Sequence, residues 1–532
     1  MRIILILLTL AVLSIYAQKP PKPHVVFLLI DDYGWANVGY HRDPPTEEVQ
    51  TPNIDALVAE GIELDRHYVF KYCSPTRSAI QSGRNPIHVN VLNIPPTYYN
   101  ASDPVSGFQG IPRNMTGIAE KMKSAGYATH MAGKWDAGMA TPDHSPLGRG
   151  YQTSLHYFHH ENDYWTYYVA RCSQENIVDL WHTDEPAKSL TNPKTCSQEN
   201  QASDCVYEDE LFEQYVFDVL DNHDPSTPLF LFWAPHSIHT PLEVPKEYVD
   251  KFSFIDNKSR RMYHAMVNFI DSRIGMIVNK LKEKGMYEDT LIVMSADNGG
   301  PIYGNGTSGG NNWPLRGGKV SNFEGGVRVN AFASGGLIPK ERRGTKEEGY
   351  ICGWDWYATF CAIAGVDPTD EKAAKAKLPP IDSLNMWPLL SGQTKTSPRN
   401  IIPLGSPDPP EERMSVVPTI VNGIIVGEWK LLVGNISQDS WTGPRYPNVT
   451  TNWESTAHHL SCGTGGCLFN IKNDPTEHVN LASQEPTILA ELHTHLKTAQ
   501  ASVFSPHRGT ISPKACEDAI NKYNGYWGPF VE

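Results

Sequence analysis

The stretch HVVFLLIDD, from His24 to Asp32, is an unbroken apolar run closed by two aspartates. A short, fully apolar run of β-prone residues bounded by polar ones predicts a strand buried on both faces, as in a parallel sheet. Two further runs repeat the pattern, LFLFWA at Leu229–Ala234 and LIVMS at Leu291–Ser295. Each is followed by polar residues: Asp31–Asp32, then PHSIH at Pro235–His239, then ADNGG at Ala296–Gly300. Between the last two, apolar residues at helical spacing predict a long helix from roughly Ser259 to Lys284. Strand runs alternating with helical patterns predict an α/β fold with a largely parallel sheet. Ligands gather at the carboxyl ends of such strands, so the three polar ends are candidates for one active-site rim. Aspartate and asparagine also end strands for ordinary turn reasons. The argument therefore rests on their joint occurrence.

The 532 residues, 40% of them hydrophobic, are enough for one large domain and a smaller one. MRIILILLTLAVLSIYA, residues 1–17, reads as a signal peptide: Arg2, an apolar run from Ile3 to Leu13, and a cut after Ala17. That run is too short to span a bilayer and no later one is longer, so no membrane anchor is expected. Asn100, Asn114, Asn257, Asn305, Asn435 and Asn448 each head a glycosylation sequon, which fits the secretory pathway. A net charge of −14 argues against nucleic acid and anionic membranes as partners. An anion can bind such a protein only at a local cluster of cations. The mature chain divides at the composition change near Pro398, into residues 18–397 and 398–532. After the acidic, proline-rich GSPDPPEE (405–412), IIVGEWKLLVG reads as a hairpin, CLFNIKNDP as a strand and turn, and PTILAELHTHLKTAQ as an amphipathic helix. These predict a small C-terminal α+β domain.

Nine cysteines in an oxidising compartment leave one unpaired. Cys462 and Cys467 flank the tight turn GTGG, and Cys172, Cys196 and Cys205 share one polar stretch. Cys73, in YCSPTRSAIQSGR (72–84), is the candidate for chemistry. Pro75 suits a first helical turn and Gly83 a helix end, which puts Cys73 at a helix N-terminus, where an anion is favoured. Asp31, Asp32, Asp297 and Asn298 offer oxygen ligands alone, the set for Ca²⁺ or Mg²⁺ rather than zinc. Arg77, Lys134, His239 and Lys319 are singly read as surface charges or a core histidine; together they make an anion pocket. A thiolate nucleophile is credible at a helix N-terminus in general, but sits poorly beside a hard cation.

CSPTR followed by SGR resembles the C-x-P-x-R signature of the type I, formylglycine-dependent sulfatases. FLLIDDYGW, TPNIDALVAEGI, AGKW, HTPLEVP, LIVMSADNGG, NNWPLRGGK, EGGVR and LFNIKNDPTEHVNLA are similar to stretches of that family in its usual order. The subgroup most similar is that of the arylsulfatase B-like (N-acetylgalactosamine-4-sulfatase-like) enzymes. The resemblance implies an alkaline-phosphatase-like fold, a large mixed and mostly parallel sheet flanked by helices. It implies that a formylglycine-generating enzyme oxidises Cys73 in the endoplasmic reticulum, which leaves eight cysteines for up to four disulfides. The hydrated aldehyde attacks sulfur with one hydroxyl and expels sulfate through the other. By the same resemblance Asp31, Asp32, Asp297 and Asn298 hold Ca²⁺ (in preference to Mg²⁺), with residue 73 completing the site. Arg77 holds the hydrated aldehyde, and Lys134, His239 and Lys319 surround the sulfate, with His239 or Lys319 protonating the leaving group.

One position departs from the family, which commonly reads G-K-W-H where this chain has GKWDAG. Asp136 replaces the histidine thought to deprotonate the hydroxyl when sulfate leaves; Asp136, His144 or His236 is then the candidate base. The departure keeps open a sulfatase-fold protein that binds sulfated ligands without turnover, and a phosphatase or phosphonate hydrolase is the third reading. The implied substrate is an aryl or carbohydrate sulfate, the implied residence secreted or lysosomal. Tyr157–Tyr168, YFHHENDYWTYY, is read either as a lining of the substrate cleft or as an aromatic surface loop.

Overall fold

The computed structural model describes residues 22–172, 175–303, 306–405, 421–448 and 459–532. The signal segment 1–17, Asn305 and residues 406–412 of the acidic linker lie outside the described residues.

The central sheet is built from β1 (His24–Ile30), β2 (Ile62–Leu64), β3 (Ala128–Lys134), β4 (Thr153–Tyr157), β5 (Leu229–Ala234), β6 (Thr290–Ala296) and β7 (Ala331–Ser334). Its spatial order is β4-β3-β5-β1-β6-β7-β2, with short strands at both edges that bring it to ten. The five strands from β4 to β6 are mutually parallel, while β7 runs antiparallel to both β6 and β2. β1 lies in the middle and every residue of it is buried, as are those of β5 and β6. That is why the three runs lack polar alternation. Period-two geometry sends Val26, Leu28 and Ile30 into one core and Val25, Phe27 and Leu29 into the other.

Helices cover both faces: α1 (Cys73–Ser82), α2 (Glu208–Asn222), α3 (Lys258–Glu283) and α4 (Asp355–Ala364). On one face Phe269, Ile270 and Ile274 of α3 pack with Phe212 and Val216 of α2. On the other, Phe27 stacks on Phe232 at 5.3 Å and meets Phe360 of α4 edge-on at 5.9 Å.

The C-terminal part begins with an antiparallel sheet of β8 (Ile401–Gly405), β9 (Val421–Val426), β10 (Trp429–Leu432) and β11 (Cys467–Asn470) in that order. Leu492 and Leu496 of α5 (Pro486–Ala501) pack against Ile424, Leu431 and Leu468 of this sheet. The chain then returns to the large sheet, where Trp527 and Phe530 join the core around Trp181. Cys516 bonds Cys172 there.

The four possible bridges are reduced to three: Cys172–Cys516, Cys196–Cys205 and Cys462–Cys467. Cys352 and Cys361 are buried thiols packed in two different cores, one beside Tyr68 and Trp354, the other within α4, so they do not meet. No helix among the described residues is long and apolar enough to cross a membrane.

Candidate active site

All five parallel strands end at one edge, and each delivers polar residues to it. β1 delivers Asp31 and Asp32, β6 delivers Asp297 and Asn298, and β5 leads to His236 and His239. Lys134 is the last residue of β3, and Asp136 follows two positions later. β4 is followed by His159, His160 and Glu161. α1 begins at Cys73, with Tyr72 as its extended N-cap and Gly83, at φ +68°, closing it in the left-handed conformation. Every residue of this helix is buried, and its amide-bearing N-terminus faces the strand ends.

The Cys73 thiol lies 3.7 Å from Asp31 Oδ1 and 3.5 Å from Asn298 Oδ1. Ligand atoms of Asp31, Asp32, Cys73 and His239 fall within 4.8 Å of one another, all buried. Asp297 stands beside this group. Its Oδ1 accepts the Asp32 amide at 3.2 Å and its Oδ2 takes Arg77 Nε at 3.0 Å and Nη2 at 2.8 Å. Asn298 donates to Asp32 Oδ1 at 2.7 Å. Three cations face the three carboxylates. Lys134 Nζ is 2.6 Å from Asp31 Oδ2, Lys319 Nζ is 2.8 Å from Asp32 Oδ1, and Arg77 also donates to the Lys134 carbonyl at 2.9 Å. Lys319 Nζ is 3.1 Å from His239 Nε2, whose Nδ1 donates to the Thr240 carbonyl at 2.6 Å.

Eight buried side chains from the sequence reading thus come together: Asp31, Asp32, Cys73, Arg77, Lys134, His239, Asp297 and Lys319, with Asn298 in contact. Their electrostatics are strongly coupled. Burial pushes the Cys73 thiol well above its usual range, against the pull of Lys134 and Lys319, so the sulfur is a neutral thiol and a poor nucleophile. Burial and then Lys319 hold His239 well below its ordinary value, so it is neutral. Burial works against the Lys319 ammonium, but Asp32 more than restores it and leaves Lys319 protonated.

The other expected residues fall differently. His144 is turned away, with Nδ1 2.8 Å from Thr141 Oγ1 and its ring against Phe108. His236 Nδ1 is bound to Glu208 at 3.0 Å and the ring stacks on Tyr164 at 3.8 Å. The aromatic side chains of the segment do not form a surface loop: Tyr157, Tyr164, Trp165 and Tyr167 are buried in one core with Tyr207 and Phe212, and Phe158 is buried in the other. From that segment His160 and Glu161 reach the site, the latter 3.8 Å from His239 Nδ1. The sequence reading carried these two only within the segment 157–168 as a candidate cleft lining and gave neither a role of its own, although HHE just after a strand was the available signal.

The sulfatase family model matches residues 23–366, well over half of the chain. The chain belongs to the sulfatase family. It is similar to mouse arylsulfatase J, at 33% identity over 531 residues, covering 96% of this sulfatase and 81% of the relative. It is also similar to mouse N-acetylgalactosamine-6-sulfatase, at 28% identity, covering 74% and 71% of the two chains. Among solved structures Ps i-CgsB, also solved in complex with k-i-k-neocarrahexaose, superposes with a TM-score of 0.70 at 23% identity. That match covers 94% of this sulfatase and 98% of the other chain. The fold is accordingly the sulfatase, alkaline-phosphatase-like one, and the protein is a sulfuric ester hydrolase. The arylsulfatase B-like subgroup is not singled out by these relatives.

Proposed function

We propose that this sulfatase hydrolyses aryl and carbohydrate sulfate esters at a formylglycine made from Cys73, with Ca²⁺ at the strand ends. The observation that carries the reading is the seat of Cys73, at the head of α1 and against Asp31 and Asn298. A thiolate there faces a carboxylate, whereas a neutral hydrated aldehyde suits the position. Formylglycine supplies the two hydroxyls the reaction uses, and Ca²⁺ supplies Lewis acidity for the attacking one. Asp31, Asp32, Asp297 and Asn298 fit a hard cation, being buried oxygen donors crowded into one spot with lysines drawn onto two of them.

The cationic side chains then divide the remaining work. Arg77 ties Asp297 and Asp31 together, the latter at 3.4 Å, and so fixes the carboxylate cluster. Lys134 and Lys319 aim positive charge at the sulfate, the largest expected contribution to catalysis of this kind. The leaving-group proton comes from the Lys319–His239 pair, in which Lys319 is the protonated member.

The carbohydrate part of the proposal is supported by the names of the relative and of the bound neighbour given above. An arylsulfatase B-like specificity is the finer form of the same reading. Maturation by a formylglycine-generating enzyme, secreted or lysosomal residence, and glycosylation at Asn100, Asn114, Asn257, Asn435 and Asn448 belong with it. None of those five asparagines is buried. We also take residues 18–397 as the catalytic domain and 398–532 as the smaller one, whose last stretch, from Thr510 to Phe530, packs back onto the catalytic domain.

Hydrolysis of an aryl sulfate and the matching aryl phosphate by the wild type and by Cys73→Ala tests the reading. Sulfate hydrolysis that dominates and vanishes in the variant supports it. Dominant phosphate hydrolysis makes the protein a phosphatase, and tight sulfate-ester binding without turnover makes it a binding protein.

A further inference from the structure

Asp136 and His160 leave neighbouring strands in the same direction. β3 and β4 are parallel, with Lys134 opposite Tyr157, so residues just beyond both ends turn onto one edge. There Asp136 Oδ1 accepts from Ser74 Oγ at 2.6 Å, from His160 Nδ1 at 2.9 Å and from Gln109 Nε2 at 3.4 Å. Ser74 Oγ also stands 3.1 Å from His160 Nδ1. Asp136 is wholly buried. Burial works against its charge, but His160 and then Lys134 hold the carboxyl below its usual range, so it is ionised. An ionised acceptor at Nδ1 puts the hydrogen there and the basic lone pair on Nε2. His160 Nε2 is buried and has no hydrogen-bond partner among the described residues, although leaving such a group unpaired costs about 1–3 kcal/mol.

The place of this imidazole is set from two sides. Ser74, on which it rests, directly follows Cys73, and Glu161, its chain neighbour, reaches His239. The segment His160–Glu161 therefore runs from the flank of residue 73, where His160 sits, towards His239, which Glu161 approaches at 3.8 Å. Resting on the formylglycine reading above, we infer that His160, oriented by Asp136, is the proton-accepting imidazole of this site. Asp136 is the positioning residue that acts through it. As sulfate departs, the O–H bond of the hydroxyl kept at position 73 breaks and an N–H bond forms on His160 Nε2. Sulfate carries away the electron pair of the C–O bond it leaves, and the freed O–H pair closes the carbonyl. The imidazolium, paired with Asp136, returns its proton to water. The chain thus supplies from the end of β4 the imidazole that GKWD lacks at the end of β3.

The test uses His160→Gln, His160→Ala and Asp136→Asn, each first checked for formylglycine by peptide mass and for folding by thermal unfolding. The expected result is a kcat lower by about 10²–10⁴ in all three. In the His160 variants, a burst of alcohol product equal to the enzyme should persist. The peptide carrying residue 73 should then gain the mass of one sulfo group in quenched samples. Added imidazole should restore turnover in His160→Ala and not in Asp136→Asn. Wild-type kcat in a folded, formylglycine-bearing His160 variant overturns the inference. So does a loss of turnover with no burst and no sulfo group, which places His160 before sulfur–oxygen cleavage. If both His160 variants misfold, Asp136→Asn decides alone: a sulfo group trapped on residue 73 supports the pair, and its absence overturns it. Missing formylglycine in the wild type is a different result, and sinks the sulfatase mechanism rather than the role of His160.

Discussion

Arg77 grips Asp297 through two nitrogens on one carboxylate oxygen, Nε at 3.0 Å and Nη2 at 2.8 Å, with both side chains almost completely buried. The same guanidinium reaches Asp31 at 3.4 Å and the Lys134 carbonyl at 2.9 Å. It is thereby the tie between β1, β3 and β6 at the site. Removing one partner of a buried pair leaves the other charge stranded, at about 3–5 kcal/mol. Arg77→Ala is expected to lose stability in that range in urea unfolding. Arg77→Lys should recover only part of it, since an ammonium cannot reproduce the planar fork. Equal stability of Arg77→Ala and wild type contradicts the assignment.

Lys134 and Lys319 are drawn onto Asp31 and Asp32 at 2.6 and 2.8 Å, the carboxylates proposed to hold Ca²⁺. A dication that binds the folded state alone stabilises it by about 2.7 kcal/mol at a hundredfold excess over Kd. Chelation is expected to lower the unfolding midpoint and the activity together, with Ca²⁺ restoring both. Mg²⁺ should restore less, because it demands a tighter octahedron. In Asp32→Asn the Ca²⁺-dependent shift should shrink or vanish. A midpoint indifferent to chelator and Ca²⁺ counts against the metal site.

Lys319 is assigned the leaving-group proton, which matters most when the departing alcohol is a poor leaving group. Lys319→Ala should therefore lose about 10²–10⁴ in kcat on a sugar sulfate, and markedly less on a nitrophenyl sulfate. Equal losses on both substrates would reassign Lys319 to charge stabilisation alone.

At the opposite end of the strands, His24 accepts the Leu229 amide at 3.1 Å and His130 meets Thr153 Oγ1 at 2.8 Å. Burial, with His223 adding to it, pushes both imidazoles down to about 4 from 6.5. Between those values the unfolded chain binds more protons than the folded one, so stability falls as pH drops from 6.5 towards 4. Each group contributes a slope of at most ~1.4 kcal/mol per pH unit. His130→Gln should flatten that slope while leaving stability above pH 7 less affected. An unchanged slope refutes the burial argument.

The sequence was most legible where the physics is local. β1 and β5 have the predicted bounds, and α3 begins and ends one residue earlier than expected, because each is an apolar pattern bounded by polar residues. The start of α1 at Cys73 followed from Pro75 and Gly83 in the same way. Long-range relations were not legible. Cys172 and Cys516 are 344 residues apart, and nothing near either names the other. The Asp136–His160 contact depends on the register of β3 against β4, which only the folded sheet sets. The burial of the aromatic residues after Tyr157 was not legible because the helix that covers them lies some fifty residues further along.

The central claim is that Cys73 does not stay a cysteine, and mass spectrometry of the peptide spanning it tests that most directly. The protein should come from a eukaryotic secretory host whose converting enzyme is shown to be active on a control sulfatase. A peptide lighter by the difference between a thiol side chain and an aldehyde, reactive towards a hydrazide, is the predicted result. An intact thiol at Cys73 in that host contradicts the account.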